Sequence, residues 1–126
     1  MLRYQAPAIL WAIAIYVSSS IPADKLPDFG KMNLDKVIHF FVYFLLAATT
    51  HRAARHQSLF PAIGRHHLIF PVVMTLLYGL SDEFHQAFVP NRNSSLFDLL
   101  ADVLGGCLYV GVYWVISRRT SAGSVP

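Results

Sequence analysis

The chain has 126 residues, 55% hydrophobic and 13% charged, with a formal net charge of +3 and a mean hydropathy of +0.46. That is about half the charged share of an ordinary soluble domain, and the length sets one domain at most. Its basic residues form no stripe with interleaved aromatics, which excludes a nucleic-acid surface; the lone Cys107, inside an apolar run, excludes an internal disulfide.

The first apolar run covers about residues 6–21 and ends at Ser18-Ser19-Ser20 and Pro22. Arg3 before it and small residues after it also fit a signal peptide. The later runs favour a span, because they too read as spans. Residues 22–33 form a polar loop, in which Asn33 is placed to cap the next helix and Asp35 falls in its first turn. The second run covers 34–50. A basic stretch follows, with His51, Arg52, Arg55, His56, Arg65, His66 and His67, whose histidines are expected to be solvated. The third run covers 68–89, with Pro71 tolerated in its first turn. A tight polar turn, Pro90 to Ser95, leads to the fourth run at 96–116, which Arg118-Arg119 stop. Residues 120–126 read as a disordered tail.

The predicted fold is all-α: a small polytopic membrane bundle of four transmembrane helices within residues 1–119. With the N-terminus inside, inner flanks carry six basic residues (Arg3, Arg52, Arg55, Arg65, Arg118, Arg119) and outer flanks four (Lys25, Lys31, Lys36, Arg92). That bias puts both termini in the cytoplasm.

The polar residues inside these runs carry the functional signal. At about 1.5 Å rise per residue, His39 lies roughly 6–9 Å from the outer end of the second helix. Asp82 and Asp102 lie roughly 9–10 Å from the outer ends of the third and fourth. Asp35, His39 and Tyr43 share one face, Tyr78, Asp82, His85 and Gln86 share an arc with Glu83 at its margin, and Asp98, Asp102 and Gly105 share another. Three polar faces at one depth avoid lipid only by turning inward, so an outward-opening polar pocket is expected. Asp35, Asp82, Glu83, Asp98 and Asp102 against Lys36 and Arg92 leave an excess of three negative charges. Protonation, charged histidines or a bound cation must offset it.

Several of these residues also have plainer readings. Asp98 fits a Ser-x-x-Asp capping box from Ser95, and Asp35 with Lys36 fits an interfacial anchor. Arg92 fits a turn residue neutralising Asp82 or Asp98, and Tyr43 and Tyr109 fit packing aromatics. The plain reading is weakest for His39, Asp82, Glu83, His85 and Asp102, each a turn or more inside an apolar run.

Three segments resemble the signatures of the VanZ-like membrane proteins: Asp35 to Ala47 (DKVIHFFVYFLLA), Tyr78 to Arg92 (YGLSDEFHQAFVPNR) and Ser95 to Gly105 (SLFDLLADVLG). The resemblance implies a bacterial multi-pass protein of the cell (inner) membrane. The family is named for an accessory factor in resistance to the glycopeptide teicoplanin; the name alone does not make this chain an antibiotic-resistance protein.

Three functions compete. The first is an outward-facing enzyme or ligand site for an envelope lipid, a lipid-linked glycan or a glycopeptide-related ligand. Here His39 or His85 is the candidate base, Asp82, Glu83 and Asp102 are candidate acids, and Asp35, Lys36, Tyr43, Gln86, Arg92 and Asp98 bind. The same residues suit a divalent metal, although no H-E-x-x-H spacing marks one. Transport ranks lower, because the inner halves of the runs are apolar. A non-catalytic interaction module ranks third, since polar bonds between membrane helices contribute only about 0.6 kcal/mol each and five acids are a costly glue.

Overall fold

The computed structural model describes residues 2–26 and 34–122. Four long helices, α1 (Leu2–Ser19), α2 (Leu34–Arg55), α4 (Ile69–Gln86) and α5 (Leu96–Ala122), are joined by a 3₁₀ turn at Ala23–Lys25 and a short helix α3 (Pro61–Arg65). No strand occurs among the described residues, so the all-α expectation holds.

The helices outrun the apolar stretches that announced them. α1 starts at Leu2, α2 continues through His51 to Arg55, and α5 continues to Ala122. Hydropathy ends where lipid would end, whereas a helix ends where its propensity and caps fail. Ala53, Ala54 and the arginines are good helix formers and carry α2 onward. The expected tail therefore begins as helix, and 123–126 lie outside the described residues, as does the expected cap Asn33. α4 is shorter than expected and ends at Gln86. No apolar run announces α3, which starts with Pro61 at its first position, where a missing amide costs nothing.

Consecutive long helices run antiparallel. Trp11 Nε1 donates to Val42 O at 2.9 Å and Tyr4 stacks on His56, so α1 and α2 run in opposite directions. Tyr78 Oη donates to Ala12 O at 2.6 Å, fixing α4 beside α1. α2 lies at the centre and runs parallel to α5, His39 meeting Asp102 and Arg55 meeting Tyr113. Gly105 makes that approach possible: a β-carbon there would collide with the backbone carbonyl of Phe40. Gly106 likewise faces the side chain of Thr75 on α4. Small residues at an interface let helices approach closely, and Gly105 and Gly106 supply that here.

The bundle has the burial pattern of a soluble protein turned inside out. The buried stripe of α4 is Pro71, Thr75, Gly79, Asp82, Glu83 and Gln86, all small or polar except the proline. Its exposed face carries Val73, Leu76, Leu77, Leu80 and Phe84. Large apolar side chains line the outside of α5 too, from Leu96 and Leu100 through Leu104, Leu108 and Val112. Water would oppose this arrangement and hydrocarbon favours it. α2 (Leu34–Arg55) and the Leu96–Thr120 part of α5 are each long and apolar enough to cross a bilayer.

Candidate functional site

Up-and-down topology brings four helix ends together: the C-termini of α1 and α4 and the N-termini of α2 and α5. Every candidate site residue lies at this end, and the structure sorts them into three groups.

The first group is His39, Glu83 and Asp102. His39 Nδ1 pairs with Asp102 Oδ1 at 3.0 Å. One donor atom from each of the three residues lies within 4.8 Å of the other two. Asp102 is wholly buried and Glu83 is 6% exposed. Glu83 Oε2 accepts the Ser95 backbone N–H at 2.6 Å, which aims the carboxylate across the bundle. The opposite oxygens, Glu83 Oε1 and Asp102 Oδ2, are buried without a hydrogen-bond partner among the described residues. Gly79 leaves room for Asp102: a β-carbon there would stand 2.8 Å from Oδ2.

The Ser95 contact corrects the capping reading. Ser95 precedes α5, and its carbonyl accepts from the Asp98 and Leu99 amides. In a capping box Asp98 would reach back to the Ser95 N–H. Glu83 of α4 takes that amide instead, and Asp98 turns to Lys36 Nζ at 3.2 Å. Lys36 also holds Asp35 at 2.8 Å, so its charge is shared between two acids at the mouth of the bundle.

The second group surrounds a half-open cavity of about 200 Å³ between α1, α2 and α4. Ile15, Leu26, Ile38 and Val42 form its apolar wall. Asp35, His39, Tyr43, Asp82, Gln86 and Arg92 bring polar groups to it. Gln86 Nε2 donates to Asp82 Oδ2 at 3.0 Å, and the buried Tyr43 hydroxyl has no protein partner among the described residues. The Tyr43 ring stacks parallel to His39, so one side of the imidazole is fixed by packing and the other by Asp102. His39 belongs to both groups.

The third group faces α1. His85 Nε2 lies 3.0 Å from Ser20 Oγ, and its ring packs on Tyr16, so His85 stands apart from the carboxylates it neighbours in sequence. Arg92 neutralises neither Asp82 nor Asp98 through an ion pair. Its Nη2 and Nε donate to the Ser18 and Ile21 carbonyls at 3.0 and 3.1 Å, closing the C-terminal end of α1. The guanidinium satisfies carbonyls that α1 leaves open, and its charge suits the negative end of the helix dipole. The turn that aims it has Pro90 second and Asn91 third, with Asn91 at φ 60° and an Arg92 N–H to Val89 O bond of 3.2 Å. Asparagine tolerates that left-handed conformation.

The opposite end holds a network that the sequence reading missed. His51 is 2% exposed and bridges Tyr109 Oη at 2.8 Å and His67 Nδ1 at 3.0 Å. Arg55 donates to Tyr113 Oη at 2.7 Å. His51 and His67 are therefore packed rather than solvated. The signal was available as two matched i, i+4 pairs, His51/Arg55 and Tyr109/Tyr113. Buried Leu46 and Ala47 lie on α2 between this network and the cavity.

Two helices of spanning length and buried polar sites inside an apolar exterior point to a membrane protein. Residues 5–117 match the VanZ/LLP1 family model, and the chain belongs to that family. Neither the proteins of curated function nor the solved structures provide a match.

Proposed function

We propose that this VanZ/LLP1 member is a four-span protein of the bacterial inner membrane whose outer-leaflet cavity binds the headgroup of an envelope lipid or lipid-linked glycan. The cavity itself carries the reading: an apolar wall and a polar wall meet in one half-open space at a bundle end. A lipid presents the same division, with its chain beside Ile38 and Val42 and its headgroup toward Asp82, Gln86 and Tyr43. α1 and α4 each have 18 residues, about 27 Å of helix, close to the roughly 30 Å of a hydrocarbon core. Their outer faces are as apolar as those of α2 and α5, which supports four spans rather than two.

Size and charge narrow the ligand. About 200 Å³ is below the 300–1,000 Å³ of drug-sized sites, so the cavity suits one headgroup and not an enclosed glycopeptide. Lys36 and Arg92, the cations that could hold a phosphate, are occupied by Asp35, Asp98 and the carbonyls of Ser18 and Ile21. The acceptors that remain favour hydroxyl or amine donors. His39, held by Asp102, has the orientation of an imidazole base, and it is the residue best placed to take a proton from such a group.

Thermal stability of the purified protein with added lipids tests this reading. Amine- or sugar-headed lipids should raise the unfolding midpoint above that with phosphatidylglycerol, and Asp82→Asn and Tyr43→Phe should remove the difference. An equal response to every headgroup would overturn it.

A further inference from the structure

We infer that His39, Glu83 and Asp102 form a binding site for one divalent transition-metal ion, of the zinc or manganese type. Three donor atoms come from three different helices, α2, α4 and α5, and converge within 4.8 Å. Ligands at about 2.0–2.2 Å around one tetrahedral ion lie about 3.3–3.6 Å apart, so side-chain movements of about an ångström would complete the set.

The orphaned oxygens are the independent observation. Among the described residues, Glu83 Oε1 and Asp102 Oδ2 are buried acceptors without a hydrogen-bond donor, although each carboxylate is already oriented through its other oxygen. A buried acceptor left unpaired is costly, and more so when charged. The long polar donors Lys36, Arg92 and Gln86 are engaged elsewhere. Lys36 is held by Asp35 and Asp98, Arg92 by the carbonyls of Ser18 and Ile21, and Gln86 by Asp82. One imidazole faces two carboxylates, and a dication balances that pair without requiring a proton on either.

The supporting contacts are those a metal site needs. The Ser95 amide fixes Glu83, the Tyr43 ring fixes the plane of His39, and Gly79 leaves space at Asp102. Nitrogen with two carboxylate oxygens suits zinc or manganese better than calcium or magnesium. Three protein ligands leave a coordination position free, the mark of a reactive rather than a closed structural site. Because His39 also lines the cavity, the ion would stand at its inner wall.

Equilibrium binding of Zn²⁺ and Mn²⁺ to tag-free, chelator-treated protein in detergent tests the site. Wild type should take up one ion per chain and gain thermal stability. Co²⁺ in its place should give the visible absorption of a nitrogen–oxygen site. Glu83→Gln and Asp102→Asn should each weaken binding by roughly 100-fold or more, since even supporting residues around metals are worth about 10–100-fold. His66→Gln and Asp24→Asn should leave it unchanged. Well-folded wild type that takes up no ion would overturn the inference, whatever the variants do. Uptake that survives both carboxylate substitutions but is lost in His51→Gln would place the ion at the opposite end, and would equally overturn it. The lipid reading is independent, because headgroup selectivity in metal-free protein can persist while ion uptake fails.

Discussion

Gly79 and Asp102 illustrate how one missing side chain makes room for another. A β-carbon at position 79 would lie 2.8 Å from Asp102 Oδ2 and 3.0 Å from Leu99 Cδ1. Asp102 is short, wholly buried and tied to His39, so it has little freedom to withdraw. Gly79→Ala should therefore destabilise the protein by about 1–3 kcal/mol through overpacking, despite the better helix propensity of alanine. The midpoint of thermal unfolding in detergent measures it. Asp102→Ala should relieve part of that penalty, giving a coupling of about 0.5–3 kcal/mol in a double-mutant cycle. Additive losses would show that the two positions do not press on each other.

Glu83 joins two elements, and its two oxygens do different work. Oε2 caps the start of α5 through the Ser95 amide, while Oε1 is buried without a hydrogen-bond partner among the described residues. Glutamine keeps an acceptor for the amide and removes the charge, whereas alanine removes both. Glu83→Gln should hold the thermal midpoint near wild type, and Glu83→Ala should lose about 0.5–2 kcal/mol, the usual worth of a helix cap. Equal losses would mean that charge rather than capping matters at this end of α5. The same residue marks where sequence reading stops. Helical periodicity puts Asp82 and Gln86 on the inner arc of α4 with Glu83 at its margin, and all three are buried; depth counting puts Asp82 level with His39 and Asp102. Periodicity cannot say which neighbour an arc faces when α1, α2 and α5 all pack against the helix. Hence His85 went to Ser20 and Tyr16, and Arg92 to the end of α1, away from the acids. Capping was misassigned for a related reason: Ser95 and Asp98 satisfy the local pattern, but a carboxylate from another helix reaches the amide. His51 was read as solvated because arginines surround it in the chain, although its partners come from 16 and 58 residues away.

The distribution of arginine and aromatic side chains over the molecule argues for its orientation in a membrane. At the end away from the cavity, Arg3 and Arg52 lie over Tyr4, Arg118 over Trp114 at 4.0 Å, and Arg55 bonds Tyr113. Aromatic rings and long basic side chains occur together at membrane interfaces, and excess arginine marks the cytoplasmic one. The cavity end instead carries Asp35 and Asp98 around Lys36, with Arg92 folded onto α1. The arginine-rich end should therefore face the cytoplasm and the cavity the outside, an arrangement that exposes the site to envelope lipids. Cysteine labelling can read this directly. Cys107 is exposed on α5 and must first be replaced by serine. Asn93 in the turn before α5 and His66 after α3 are both exposed and lie at opposite ends. In intact bacterial cells expressing the chain, a membrane-impermeant maleimide should modify the Asn93→Cys variant. It should reach the His66→Cys variant only after permeabilisation. The reverse pattern would turn the cavity to the cytoplasm and remove the envelope lipid as its ligand. Labelling of both in intact cells would mean that the helices between them do not form a sealed span.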